Sequence, residues 1–345
     1  MTKQKQKIMA IAIIGGLLCI VSLLALHVGT IMIPIGGGIQ SILNGMGIPV
    51  HFTAPITAEQ EAVLWFIRMP RLIIGLLVGG ALALAGAVMQ GVFSNPLADP
   101  GIMGVSAGAS LGAVIAIALG VTSLGMFYMP AFAFVGAFVS VGITIILTLR
   151  NNKLDTTTLL LAGVAVSMLL GAFTSGILTM INEYRLREFL FWMVGGLDFR
   201  RWDHVALAVG PIVTGSVILM MLGRHLNVLV LGDTEARALG LPGMVYRMLF
   251  LFLASVVTAT AVCVSGSIGF VGLVVPHIVR LLVGPDHRIL LPMAAVGGAL
   301  FLVFCDTLGR VIAQPIEIRV GIMTALLGAP YFLYLLHRLR SKGGA

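Results

Sequence analysis

Seven histidines, three cysteines and thirteen carboxylates are the side chains best suited to acid–base and metal chemistry in this 345-residue chain, and their spacing lets few of them act together. Cys19, Cys263 and Cys305 lie singly in apolar runs, with no pair at metal-ligand spacing, and read as packing residues. His277 follows Pro276 in GFVGLVVPHIVR (269–280), where an ionisable group among apolar residues suggests a proton relay or a metal ligand. No second His, Asp or Glu stands at i+3 or i+4, so a packed or interfacial histidine is the better reading. Asp306, in FCDTLGR, has Arg310 four residues on, which predicts an i,i+4 ion pair. The patterns H-E-x-x-H, G-x-S-x-G and the EF-hand loop are missing. No lysine follows a glycine, so G-x-x-x-x-G-K-[ST] cannot occur, and any ATP used with this chain must be bound by another polypeptide.

Three polar segments interrupt the apolar runs. SNPLADPG (94–101) predicts a rigid turn, with Asn95 and Asp99 bonding backbone groups freed by the prolines; lining a pathway between broken helices is the alternative. In DTTT (155–158), Asp155 or Thr156 can cap the following helix, and short hydroxyls at that mouth can form a constriction. LGDTEARALGLP (231–242) predicts a short helix capped by Asp233 or Thr234, favoured by Glu235 at its positive end, and stopped by Gly240 and Pro242. A plain connector does not need both ends specified, whereas a rigid knob for a partner does.

The elements that hold these segments are membrane spans. Hydrophobic residues make up 59% of the chain and charged ones 10%, which excludes an ordinary soluble enzyme or a disordered tail. Apolar runs fit ten spans near 8–28, 72–93, 101–119, 126–149, 158–181, 204–222, 248–267, 268–283, 289–309 and 319–336, forming one integral-membrane domain over 1–345. The first has a basic head and no A-x-A-like end, so it reads as a retained span that starts inside. The net charge of +8 is scattered at span ends, which argues against nucleic acid. With both termini cytoplasmic, Lys3, Lys5, Lys7, Lys153 and Lys342 all fall inside, as the positive-inside rule asks, and 227–243 becomes a cytoplasmic loop. Arg68, Arg71, Arg185, Arg187, Arg200, Arg201, Arg310 and Arg319 remain outside. Leu186, Phe189, Leu190 and Met193 form one stripe of a helix expected to lie along the outer interface. Glycines at helical spacing, such as Gly75, Gly79 and Gly80 or Gly104, Gly108 and Gly112, predict closely packed helices.

Several stretches together resemble the FecCD-type permeases of ABC importers for iron complexes, haem and cobalamin, the family that includes the cobalamin permease BtuC. They are RMPRLIIGLLVGGALALAGAVMQGVFSNPLADPGIMGVSAGAS (68–110), TLLLAGVAVS (158–167), LGDTEARALGLP, GFVGLVVPHIVRLLVGPDHRILLP (269–292) and LGAPYFLYLL (327–336). The resemblance implies an all-α, ten-helix subunit of the type II importer fold in the cytoplasmic membrane of a prokaryote. It would pair with a second copy, taken as identical, with two ATPase subunits using ATP and Mg below and a solute-binding protein above, and with no cofactor or metal of its own. It further implies that Gly232, Asp233, Thr234, Glu235, Ala236, Arg237, Leu239 and Gly240 engage the ATPase. Thr156 and Thr157 would narrow the inner gate, and Arg68, Arg71 and Arg310 would receive acidic residues of the binding protein. The outer loop 29–61 departs from the relatives, and Thr158 stands where the cobalamin permease has a basic residue.

The leading expectation is therefore a permease for a metal chelate, first a ferric siderophore, with haem or cobalamin as alternatives. An ion-coupled secondary transporter would need carboxylates near mid-membrane, but Asp and Glu sit at span ends. An intramembrane enzyme would have His277 as its sole candidate base.

Overall fold

A computed structural model of the chain describes residues 3–51, 56–150, 153–154 and 156–343, with backbone alone at Lys3, Arg150, Lys153, Leu154, Thr156, Asp233, Leu336 and 338–343. Asp155, one expected helix cap, lies outside the described residues. The helices are α1 (Lys3–His27), α2 (Ile35–Gly45), α3 (Ala58–Val63), α4 (Met69–Val92), α5 (Val105–Leu119), α6 (Tyr128–Thr148), α7 (Thr156–Leu178) and α8 (Glu183–Met193). They continue as α9 (Trp202–Met221), α10 (Gly223–Leu231), α11 (Asp233–Ala238), α12 (Gly243–Ser265), α13 (Val271–Val283), α14 (His287–Ile312) and α15 (Val320–Gly343).

Each of the ten expected spans has its helix. Seven segments are long and apolar enough to cross a bilayer, and α5, α13 and the apolar part of α15 are shorter. The second span begins well before residue 72, because a capping box between Thr57 and Gln60 starts α3 and a π-helical turn over Leu64–Arg68 carries it into α4 without a break. Between α6 and α7, Leu149–Arg150 and Lys153–Leu154 form a two-residue antiparallel ladder. The stripe expected on α8 is divided: Phe189 is buried, with Trp192 beside it, whereas Leu190 and Met193 are exposed.

α4 is the axis of the molecule, buried on every side from Val78 to Val92, with α9, α12, α13 and α14 packed around it. Small residues permit this: a Cβ at Gly80 would stand 3.2 Å from the Ala295 carbonyl oxygen of α14. Between α12 and α13 the chain is irregular over 266–270, with Phe270 in the left-handed region at φ 67°. At about 1.5 Å per residue α13 is only ~20 Å long. The bends around it are held by protein, as irregular backbone in a membrane requires: the Gly196 N–H donates to the Ser265 carbonyl at 2.8 Å, and the Gly266 N–H to Val262 at 2.8 Å.

An even number of crossings brings both termini to one end. There, Lys7 lies against Gly284 and Gly91 against His287. The ends of α1 and α14, the start of α4, and the 194–201 and 313–319 connections meet at the far end.

Candidate functional site: a braced far end and a presented short helix

Arg71 is the centre of the far end. Its Nε and Nη2 grip the Asp306 carboxylate at 3.0 and 2.8 Å, Nη2 also reaches Asp198 at 3.1 Å, and Nη1 meets Glu317 at 2.7 Å. Arg310 approaches Asp306 at 3.5 Å, the i,i+4 pair expected from the sequence, but Arg71 holds that carboxylate more closely. Arg310 Nη2 donates to the Ala25 carbonyl at 2.9 Å, and Arg68 donates to the carbonyls of Leu26, at 2.7 Å, and Ile31. Arg319 reaches Asp198 at 3.7 Å, donates to the Phe191 carbonyl and stacks over the Phe191 ring. Arg200 lies beside this cluster, and burial pushes it down to about 10.

The three arginines expected to receive a binding protein are thus internal. Arg68, Arg71 and Arg310 are 5, 7 and 5% exposed, and their guanidinium donors bind carbonyls and carboxylates of their own chain. These side chains are therefore not an open basic surface: apart from Arg310 Nε, which has no hydrogen-bond partner, the donors named would have to leave those bonds before serving another protein. Of the arginines expected outside, Arg187 and Arg201 are exposed, and Phe199, two residues before Arg201, stands at φ 58° and 90% exposure. The pairing of Arg71 with Asp306 and Glu317, across 235 and 246 residues, and the exposure of Phe199 were not read from the sequence.

At the termini end, α9 is followed by α10, a separate helix not expected from the sequence, which reaches into the first residues of the loop 227–243. α10 packs on α4 and α14 and delivers the chain to α11. The cap of α11 differs from expectation. Gly232, at φ 121°, holds the N-cap position, so Asp233 and Thr234 are already helical. Glu235 folds back toward that end, where a Cβ on Gly232 would stand 2.7 Å from its Oε2, and a carboxylate there favours the positive helix terminus. The other end is as expected. Gly240 at φ 74° donates its N–H to Arg237 at 2.9 Å, and the Leu241 N–H donates to Ala236 at 2.8 Å, the two bonds of a Schellman cap. Ala236 is fully buried and anchors the helix. Thr234, Glu235, Arg237, Leu239 and Gly240 are exposed, with Leu231 and Leu239 presenting apolar surface beside them.

Of the two expected gate residues, Thr157 is exposed in the first turn of α7, and the Thr156 side chain lies outside the described residues. In the 94–101 turn, Asn95 Oδ1 accepts from the Leu97 N–H at 2.9 Å and Asp99 Oδ1 from the Gly101 N–H at 2.8 Å, the bonds expected of it. Burial pushes the Asp99 carboxyl above the usual carboxylate range. His277 is half-buried, its ring 6.4 Å from that of Tyr331, and no group of three or more possible metal ligands occurs among the described residues.

The FecCD transport family model matches residues 17–338. The cobalamin import system permease protein BtuC of Halobacterium salinarum is 48% identical over 290 residues, covering 84% of this chain and 76% of that protein. The hemin transport system permease protein HmuU of Yersinia pestis is 44% identical over 295 residues, covering 83% and 87%. A solved inward-facing transporter described as of the metal-chelate type superposes with a TM-score of 0.83 at 31% identity, over 94% of this chain and 97% of that one. With the family model matched over residues 17–338 and a solved relative matched along nearly its whole length, this chain belongs to the FecCD transport family and is a non-enzymatic permease subunit of an ABC importer.

Proposed function

We propose that this chain carries a metal chelate, a corrinoid or haem, from a solute-binding protein across the cytoplasmic membrane, with ATP hydrolysed by a separate subunit docked on α11. The observation that carries this reading is the joining of a family match over 17–338 to a rigid, exposed helix at the end where the lysines gather. The names of two relatives, a cobalamin and a hemin permease, favour those cargoes over the ferric siderophore first expected. Lysine placement supports cytoplasmic termini.

A second, identical copy would pair through α7. Beyond its polar first turn, α1 exposes mostly large apolar residues, with Ala12, Gly16 and Cys19 as the exceptions, as against lipid, whereas α7 exposes Thr157, Gly171, Ala172, Ser175 and Gly176 among its apolar residues. Small and hydroxyl side chains suit a partner helix or a wet pathway better than lipid. Cargo passing there would be held weakly, with Thr156 and Thr157 at the inner constriction. Docking of the binding protein is assigned to Arg187, Phe199 and Arg201, since aromatic and Arg anchors dominate interfaces and rim charges set encounter.

Reconstituted with its ATPase and binding protein, the complex is expected to take up the chelate that the purified binding protein retains. Arg201→Glu should slow binding-protein association several-fold at low salt and much less at high salt, measured by surface-immobilised kinetics. ATP-independent uptake by this chain alone in liposomes would refute the importer reading.

A further inference from the structure

At the termini end a cavity of about 510 Å³ opens between the 94–96 turn, α10, and the junction of α13 and α14. Its polar wall is made by Ser94, Asn95, Asn227, Arg280, Asp286 and His287. The acceptors among them are largely occupied. Asp286 is gripped by Arg288, through Nε at 3.0 Å and Nη2 at 2.6 Å, and accepts from Asn227 Nδ2 at 2.8 Å. The Arg288 and Asn227 hydrogen bonds hold its carboxyl well below the usual range, so its charge is permanent and compensated. Asn227 Oδ1 accepts from the His287 N–H at 2.9 Å and lies 2.7 Å from His287 Nδ1, which makes Nδ1 the protonated ring nitrogen. Asn95 Oδ1 is taken by Leu97.

The donors are free. Arg280 is half-buried and has no carboxylate or hydrogen-bond partner among the described residues, and the same holds for Asn95 Nδ2 and the Ser94 hydroxyl. Ser94 sits in the left-handed region at φ 46°, a conformation that favours glycine, and it stands at the mouth of the cavity. Position in the last turn of α13 gives Arg280 a favourable helix dipole, but no acceptor for its planar fork of donors. Gln90 and His287 also line it, with Gln90 Oε1 and His287 Nε2 buried and without a partner. Unmet donors that face a cavity, one of them a guanidinium, select an oxyanion.

We propose that this cavity binds a phosphate group, with Arg280, Asn95 and Ser94 donating to its oxygens. Hydrogen phosphate and a phospholipid headgroup share that chemistry. Because α10 forms one wall and runs directly into α11, an occupied site would stiffen the base of the short helix.

The test uses the full chain in nanodiscs of phosphatidylcholine alone, with inorganic phosphate titrated against chloride at constant ionic strength and unfolding followed by tryptophan fluorescence. A saturable rise in Tm of a few degrees, lost in Arg280→Gln and in Asn95→Asp, assigns the site to free phosphate. If only discs containing phosphatidylglycerol raise Tm, and native mass spectrometry finds one such lipid retained by the wild type and lost from Arg280→Gln, the source is a headgroup. Arg280→Lys covers a Gln variant that fails to fold, and is expected to weaken the phosphate midpoint roughly tenfold by losing the fork. No response from either source, or an equal one in the variants, overturns the proposal. It is also overturned if Arg280→Gln merely loses the ATPase subunit with phosphate inert, since Arg280 would then hold a protein carboxylate.

Discussion

Charged residues cluster at both ends of this permease, and they are used in opposite ways. At the far end Arg68, Arg71 and Arg310 are buried and bound to the chain's own carbonyls and carboxylates. In α11, Glu235 and Arg237 stand in the open on a six-residue helix whose ends are fixed by Gly232 and Gly240. The first arrangement ties α1, α4 and α14 together through the longest separations in the chain. The second holds its charges in place without engaging them. Charge near a span end therefore says little about docking until burial and partners are known.

Removing one member of the braced end should have the largest effect. Arg71→Ala leaves Asp306, whose side chain is 6% exposed, with only the longer 3.5 Å approach of Arg310, and breaking a buried pair from one side costs up to about 3–5 kcal/mol. The expected result is a large drop in thermal stability in detergent and poor membrane yield. Glu235→Arg should do the reverse, with unfolding unchanged because the side chain is exposed, and ATP-driven uptake at least roughly tenfold lower because like charge at a rigid contact is strongly disfavoured. A pull-down of the ATPase on the variant separates lost docking from lost transport. If Arg71→Ala folds normally and blocks binding-protein docking instead, the two ends are alike and the comparison fails.

A subtler variant reaches the mechanism of the presented end. Gly240 holds φ 74° and closes the Schellman cap, and Gly240→Ala should cost about 1 kcal/mol locally. No side chain is in the way of the added Cβ, so the effect is one of backbone alone. Uptake is expected to fall a few-fold, with the ATPase still bound but less well coupled, and hydrogen exchange should accelerate in 233–241 and not in α12. Unchanged exchange with lost uptake would mean that Gly240 touches the partner directly.

Much of this was legible in the sequence because it depended on local rules. Ten apolar runs gave ten helices, Gly240 marked the stop of α11, and the lack of any Gly–Lys pair sent ATP to another polypeptide. What was not legible depended on distance. The i,i+4 spacing of Asp306 and Arg310 was visible, but the stronger claim of Arg71 on the same carboxylate crosses 235 residues. α10 was hidden because a nine-residue helix carries too weak a period to stand out beside long spans. The cap of α11 was misplaced by one residue because Asp and Thr are better N-caps than Gly, yet the turn needs the φ of 121° that Gly232 supplies.

The smallest expected effect tests where the brace ends. The Glu317 side chain is 38% exposed, against 6% for Asp306, although its 2.7 Å distance to Arg71 is the shortest in the network. Distance alone would rank Glu317 first; solvent screening ranks it last, because exposed ion pairs contribute under about 1 kcal/mol. Glu317→Gln keeps a hydrogen-bonding oxygen beside Arg71 and removes only the charge, so its Tm should fall slightly and recover at high salt. Asp306→Asn should fall much further and stay low, because salt does not reach a buried pair. A fall in Glu317→Gln as deep and as salt-resistant as that in Asp306→Asn would mean that the three carboxylates share Arg71 as one unit, and that the brace extends to the outer surface of the permease.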